Sequence, residues 1–386
     1  MARQIYADNS ATTQVAERAV AAMARSLRED YGNPSALYDR GTRAKKSVED
    51  ARKDVARALG AWSSEIYFTS GGTESDNWAL RAAAMAKKGQ GRHLIATAVE
   101  HRAVIETLRQ LESEGFEVTL LAPDREGSVA PEALEKAIRP DTVLISAMLA
   151  NNVVGTILPV KKLAAVARAR KILFHADAVQ AVGRVPIDVR DLGVDLLSLS
   201  AHKFHGPKGV GALYAKAPFN PPPLIRGGGQ ERGARSGTEN VPGIVGLRES
   251  LLEALETMEE TARRLALYAE RIVEGIARIP GSYLTGSPSR RLPGHLSFVF
   301  DGIFHGALLI NALNERGISA SSGAACSAAS KEGSHVLAAM GYSEKASLCA
   351  LRLSLSRYNA EEDASEIVVA VAACVAELRR KKSFAY

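Results

Sequence analysis

The chain has 386 residues, 46% of them apolar, and a formal net charge of +6 from 49 Lys and Arg against 43 Asp and Glu. That length accommodates two domains, and the dispersed basic residues, with no stripe of them interleaved with aromatics, argue against nucleic-acid binding. No apolar run approaches the ~20 residues of a membrane span, the first residues lack a signal-peptide core, and three cysteines make neither a disulfide framework nor a metal cluster, so a cytoplasmic chain with free thiols and no metal is expected.

Taken in chain order, short apolar runs predict strands at 65–69, 93–98, 117–121, 142–147, 172–176, 196–199 and 210–214. Amphipathic stretches predict helices at 16–29, 40–59, 75–87, 103–114, 131–138 and 160–170. This is the alternation of an α/β fold with a seven-stranded, mostly parallel sheet covered on both faces. After a proline-rich stretch at 218–223 comes a glycine-rich loop at 226–233, without the spacing or strand–helix context of a phosphate-binding P-loop. A long helix follows over 241–279, ended by Pro280-Gly281. Beyond it a second pattern begins, with strands at 282–284, 295–300 and 351–356 and helices at 306–316, 334–340 and 360–382. The expected division is a large domain at 15–260 and a smaller α+β domain made of 1–14 and 261–386. Arg379 to Lys382 read as a solvated last helical turn, favoured by the helix dipole.

Two strand ends carry chemistry. The run 172–176 leads into Asp177 and Gln180, and the run 196–199 leads into Ser200, Ala201, His202 and Lys203. Ligands of wound sheets bind at strand ends. An acid after one strand and an amine after the next suit pyridoxal phosphate (PLP): the amine binds its aldehyde and the carboxylate keeps its ring nitrogen protonated. Far downstream, Cys326 sits in a window of small residues, 319–330, which predicts an accessible loop with a thiol available to react. Cys349 and Cys374 lie in apolar helix and strand contexts and read as small core residues.

Six stretches resemble the cysteine desulfurases of the NifS/IscS type, which are class V, fold-type I PLP enzymes. They are 6–13, 31–35, 69–75, 200–204 with 206–209, 235–240 and 321–326, in the expected order over nearly the whole chain. The resemblance implies a desulfurase that converts L-cysteine to L-alanine and keeps the sulfur on Cys326 as a persulfide. A selenocysteine lyase and a class V aminotransferase that makes no use of Cys326 remain its alternatives. It further implies that Lys203 binds PLP and moves the Cα proton, that Asp177 pairs with the ring nitrogen, and that Gln180 donates to the phenolic oxygen. His101 is implied to stack on the ring and shuttle protons. Gly72, Thr73, Ser200 and His202 are implied to hold the phosphate, and Thr238 to reach the phosphate of a neighbouring subunit, which requires a homodimer. Asn152 and Arg352 are implied to grip the substrate carboxylate, with Asn33 at the substrate mouth. Three positions depart from the family pattern: Val153 stands where an acidic residue is usual, Ser356 where glycine is common, and Gly333 where proline is usual. The partner implied is a sulfur-acceptor protein, an iron–sulfur scaffold or another sulfurtransferase. Family members usually continue past the last helix into a scaffold-docking tail, which leaves that partner open.

Overall fold

The computed structural model describes residues 4–322 and 333–383. Its centre is a seven-stranded sheet in the order β2 (Ile66–Thr69), β8 (Gly211–Ala215), β7 (Leu196–Ser200), β6 (Leu173–Asp177), β5 (Thr142–Ser146), β3 (His93–Thr97) and β4 (Glu117–Leu121). The five strands from β7 to β4 pair in parallel, whereas β8 runs antiparallel to both β7 and β2. Strands β2, β3, β5, β7 and β8 are buried along their whole length, because helices cover both faces. The edge strand β4 is partly exposed instead. Helix α3 (Gly72–Lys87) packs across β5, β6, β7 and β8. On the outside, α1 (Glu17–Glu29) and α2 (Asp39–Leu59) pack on α8 (Val241–Ala277).

Helix α8 is 37 residues long, about 55 Å at the standard rise, and its apolar face changes partners along the way. Val241, Ile244, Leu247, Leu251 and Ala254 belong to the core around the large sheet. Leu265, Tyr268, Ile272 and Ile276 belong to a second core. That second core is built on an antiparallel sheet, β9 (Ser282–Leu284), β10 (His295–Phe300) and β12 (Ala350–Ser354), with α9 (Gly306–Asn314) and α12 (Glu361–Ser383). Both Cys349 and Cys374 are buried in it.

The N-terminal segment ties the two cores together. β1 (Ile5–Tyr6) pairs in parallel with β11 (Ile318–Ser319), and Ile5 and Ala7 are buried in the second core. A few residues later Thr13 N–H donates to the carbonyl of His202 (3.0 Å) and Ala16 N–H to that of His205 (2.9 Å). Neither β1 nor β11 was expected, since two-residue strands carry no periodicity. The short helices α7 (Val189–Leu192) and α11 (Glu344–Leu348) were missed for the same reason. Helix α3 starts at Gly72 rather than at 75, because Gly71 has φ 151°, a turn that only glycine makes without strain. Arg379 donates to the carbonyls of Asp301 and Pro280, so it ties α12 to two loops rather than lying free in solvent.

Candidate active site

The C-terminal ends of β6 and β7 deliver Asp177 and Lys203 to one pocket of about 350 Å³, within the size range of small-molecule sites. Ser10, Gly72, Thr73, Asp76, His101, Asn152, Gln180, Ser200, His202, His335 and Arg352 are also in its wall. Sheet order explains the convergence: β6 and β7 are parallel neighbours, so the turns after them open on the same side.

Lys203 Nζ donates to the carbonyls of Ser10 (2.7 Å) and Ala11 (2.8 Å). Burial, with Arg352 and Arg184 nearby, pushes this amine down to about 8. Asp177 Oδ1 accepts from Val179 N–H (2.9 Å), and burial raises its carboxyl above the usual range, with His101 and Lys203 partly offsetting the rise. Next to it lies Asp76, 1% exposed, whose Oδ1 makes no hydrogen bond and whose carboxyl is held well above its ordinary value, first by burial and then by Asp177. Burial thus disfavours a charge on Asp76 more than on Asp177, the carboxyl that faces His101 and Lys203. Gln180 Nε2 donates to the Ser10 carbonyl (3.0 Å), while its Oε1 is buried without a partner.

His101 caps α4 (Arg102–Ser113): its Nδ1 accepts from Ala103 N–H (3.1 Å). Burial lowers its pKa, so the ring is neutral and its hydrogen sits on Nε2. His202 is likewise held neutral by burial, down to about 4, with Thr12 Oγ1 3.2 Å from its Nδ1. Arg352 is 2% exposed; its Nη2 donates to Asp8 Oδ1 (2.6 Å), its Nη1 to the Asn152 carbonyl (2.9 Å), and its Nε is buried without a partner.

Glu100, beneath the pocket, accepts from Met148 N–H (2.8 Å) and is pushed up to about 8 by burial. A raised carboxyl binds its proton more tightly folded than unfolded, so it contributes stability that falls as pH rises from near 4.5 to about 8. Glu100→Gln is expected to flatten that alkaline decline by on the order of a few kcal/mol, measured as urea midpoints at pH 5 and pH 8.5. An unchanged pH slope would show that Glu100 ionises normally.

Two sequence-based assignments are not brought to this pocket. Asn33 is exposed, with its Oδ1 engaged by Ser35 N–H (2.9 Å) in a local turn away from the pocket wall. Thr238 lines a separate cavity of about 70 Å³ with Thr69, Ser70, Arg235 and Gly237, so it does not reach the pocket of its own chain. Cys326 lies outside the described residues. Its described neighbours do reach the site: Ser321 N–H donates to the Arg352 carbonyl (3.2 Å), and Gly333, Ser334 and His335 are in the pocket wall. Asp76 and His335 were not singled out from sequence. Asp76 stands one residue beyond the 69–75 stretch, and His335, whose Nε2 meets the Glu100 carbonyl at 3.0 Å, opens a short helix.

A buried amine and a buried carboxylate on adjacent strand ends, below the N-terminus of a helix, define a PLP-dependent enzyme of the fold-type I class. The chain matches the family model "Aminotransferase class-V" over residues 5–367. It is 48% identical over 377 residues to a cysteine desulfurase IscS of Methanosarcina thermophila, covering 98% of this chain and 93% of that one. Among solved structures it resembles a NifS-like protein (TM-score 0.92, 40% identity, 97% of this chain and 100% of that one). It also resembles SspA in complex with cysteine (TM-score 0.81, 36% identity, 92% and 100%). The chain belongs to the class-V aminotransferase family and, within it, to the cysteine desulfurases.

PLP is the cofactor of this class, and the residues present fit it. A Cβ on Gly72 would lie 2.7 Å from Val179 Cγ2, so only glycine leaves the amide at the start of α3 open to the pocket. That helix N-terminus, with Thr73, Ser200 and His202 beside it, suits a phosphate. Arg235 supports the arrangement from outside: its fork grips Glu74 (2.9 and 3.1 Å), whose Oε2 also accepts from Ser70 N–H.

Proposed function

We propose that this chain takes sulfur from L-cysteine, releases L-alanine and carries the sulfur on Cys326. The observation that carries the reading is the pocket that joins Lys203 and Asp177 to Arg352, a buried guanidinium held in place by Asp8 and the Asn152 carbonyl. A guanidinium fork of this kind seats an α-carboxylate. Bound PLP supplies an aldehyde for the substrate amino group and a ring that takes up the electron pair left at Cα.

The chain's own residues do the rest. Arg352, held by Asp8 and the Asn152 carbonyl, turns its guanidinium to the substrate carboxylate, and the Asn152 side chain completes that seat. Asp177 keeps a proton on the ring nitrogen, and Gln180 Nε2 has a second hydrogen for the phenolic oxygen. Lys203, its amine already lowered to about 8, takes the Cα proton and moves it on. His101 presents Nε2–H to the pocket as a proton relay. The Cys326 thiolate attacks the substrate sulfur; the carbon–sulfur bond breaks, a sulfur–sulfur bond forms, and the carbon gains a proton. The two thiols thus become alanine and one persulfide, with no external oxidant.

A homodimer is part of this reading: Thr238 faces away from its own pocket, and Tyr31, Leu37 and Tyr38 form an exposed apolar group that a second copy can cover. The sulfur acceptor is a second protein, an iron–sulfur scaffold or a sulfurtransferase. The free thiols of Cys349 and Cys374 suit a reducing cytoplasm.

PLP-loaded protein given L-cysteine and a dithiol reductant is expected to yield L-alanine and sulfide in equal amounts. No alanine would overturn the proposal. Amino transfer to a keto acid without sulfide would make the chain an aminotransferase, and faster turnover of L-selenocysteine would make it a lyase.

A further inference from the structure

Strand β2 lies at the edge of the large sheet, and its free side is closed by side chains rather than by another strand. The Ile66 carbonyl accepts from Arg52 Nη1 (2.9 Å) and Arg232 Nη2 (2.7 Å), and Phe68 N–H donates to Glu231 Oε2 (2.9 Å). Arg52 and Glu231 meet as a two-pronged ion pair (2.7 and 2.8 Å) with side chains 3% and 2% exposed. The Arg52 guanidinium also stacks on Phe68, 4.8 Å from the ring centroid. Closing an edge needs no charges, and a buried ion pair adds little stability over an apolar contact of the same shape. What a fork on a carboxylate does impose is a fixed geometry.

The backbone held by this pair is strained. Glu231 and Arg232 have φ of 46° and 58°, a left-handed region that residues other than glycine rarely enter. Such a conformation persists only where its surroundings over-determine it. Segment 225–237 closes on itself through Ser236 N–H to the Ile225 carbonyl (3.2 Å), Ser236 Oγ to the Gly228 carbonyl (2.8 Å) and Gly237 N–H to Gln230 Oε1 (3.0 Å). Glu231 ties it to β2, and the Arg235 fork on Glu74 ties it to the first turn of α3. The loop is therefore stapled on both sides of the turn at 70–72, where the phosphate end of the pocket begins. Thr238 shares the wall of the small cavity with Glu231 and Arg235. It is exposed and has no hydrogen-bond partner among the described residues, yet the backbone around it is fixed. Gly237 is held by Gln230, and Asn240 caps α8 with its Oδ1 on Gly243 N–H (3.1 Å).

We propose that Glu231, locked by Arg52, is a positioning residue for PLP: it fixes the strained turn from which Thr238 is presented and so sets cofactor affinity in the neighbouring subunit. The proposal rests on the homodimeric reading above, in which Thr238 serves the phosphate of a second copy. A hydroxyl held out in advance meets that phosphate without the ordering cost a slack loop would have to meet on binding. The same staple fixes the 70–72 turn of its own chain, so one loop is built onto one phosphate seat while it completes another.

Titration of the full-length apoprotein with PLP, followed by the cofactor's absorbance, reads the effect without turnover. Thr238→Ala is expected to weaken PLP binding about 10-fold, as the loss of one hydrogen bond to a charged phosphate would. Glu231→Gln keeps the side chain's size and an oxygen for Phe68 N–H but leaves the Arg52 charge unmatched. It is expected to weaken PLP binding by a similar factor while circular dichroism and light scattering report an unchanged fold and dimer. Added to Thr238→Ala, it is expected to weaken binding no further, because its effect runs through Thr238. If Glu231→Gln does not fold, Arg52→Lys, which keeps the charge and loses the fork, enters the same cycle. Native PLP affinity in Glu231→Gln beside a weakened Thr238→Ala would overturn the proposal and leave the shared site standing. Losses that multiply in the double variant, or a dimer that falls apart in Glu231→Gln, would overturn it equally. Native affinity in Thr238→Ala would remove Thr238 from the phosphate, and the role of Glu231 with it.

Discussion

Lys203→Ala is expected to lose alanine formation from L-cysteine by about 10⁴-fold or more, because one side chain performs two tasks. On the proposed reading its amine attaches PLP and also takes the Cα proton. The surroundings are tuned for both. Burial and two guanidiniums bring the amine to about 8, so a usable fraction is neutral near neutral pH, whereas an ordinary lysine would be protonated. Borohydride reduction followed by denaturation is the sharper measurement. The wild-type chain should retain the cofactor covalently and the alanine variant should release it. Retention in the variant would place the attachment on another residue. A pH series adds a second check. Cofactor uptake by the apoprotein should speed up as pH rises towards about 8 and level off above it, since only the neutral amine reacts. A rate that keeps climbing to pH 10 would show an unperturbed lysine.

The parts of this site legible in the sequence are those that follow strong local signals. Asp177 and Lys203 close buried apolar runs, and a buried run must end where the chain turns to solvent or to a ligand. The seven strands of the large sheet were predictable for the same reason, with ends displaced by one residue at most. What escaped was non-local. Asp76 reads as an acid in the first turns of a helix, where it would complement the dipole. Its burial against Ser198 and Asp177 exists only once α3 lies across the sheet. The Ser10 and Ala11 carbonyls that hold Lys203 come from a segment about 190 residues away. Arg352 lies in a strand where alternation alone would not tell a buried guanidinium from a surface one. The partner that fixes its orientation, Asp8, is 344 residues distant. Asn33 shows the converse case: motif membership suggested a role at the mouth, whereas in the single chain its side chain accepts from Ser35 N–H in a local turn.

Cys326→Ser is expected to abolish alanine and persulfide formation while leaving the cofactor absorbance and its change on adding L-cysteine intact. The reason is a division of labour. On the proposed reading, holding the amino acid depends on Arg352, Lys203 and Asp177, all present in the described pocket. Breaking the carbon–sulfur bond needs a soft nucleophile that can accept sulfur, and a serine hydroxyl is far too weakly acidic to take over from a thiolate. The chain is suited to bring such a thiol to the substrate. Ser321 is hydrogen-bonded to the backbone of Arg352, and Gly333 to His335 are in the pocket wall, so both described flanks of Cys326 are anchored at the site. Cys326 follows Ser322 by four residues, a tether of at most ~14 Å. Cys349 and Cys374 cannot substitute, since both are buried in the second core at 2% and 0% exposure. The measurement is alanine release together with mass spectrometry of the protein after one turnover. Wild type should gain one sulfur atom on the peptide containing Cys326, and the serine variant none. Alanine made by Cys326→Ser at the native rate, or sulfur found on Cys349, would remove Cys326 from the reaction.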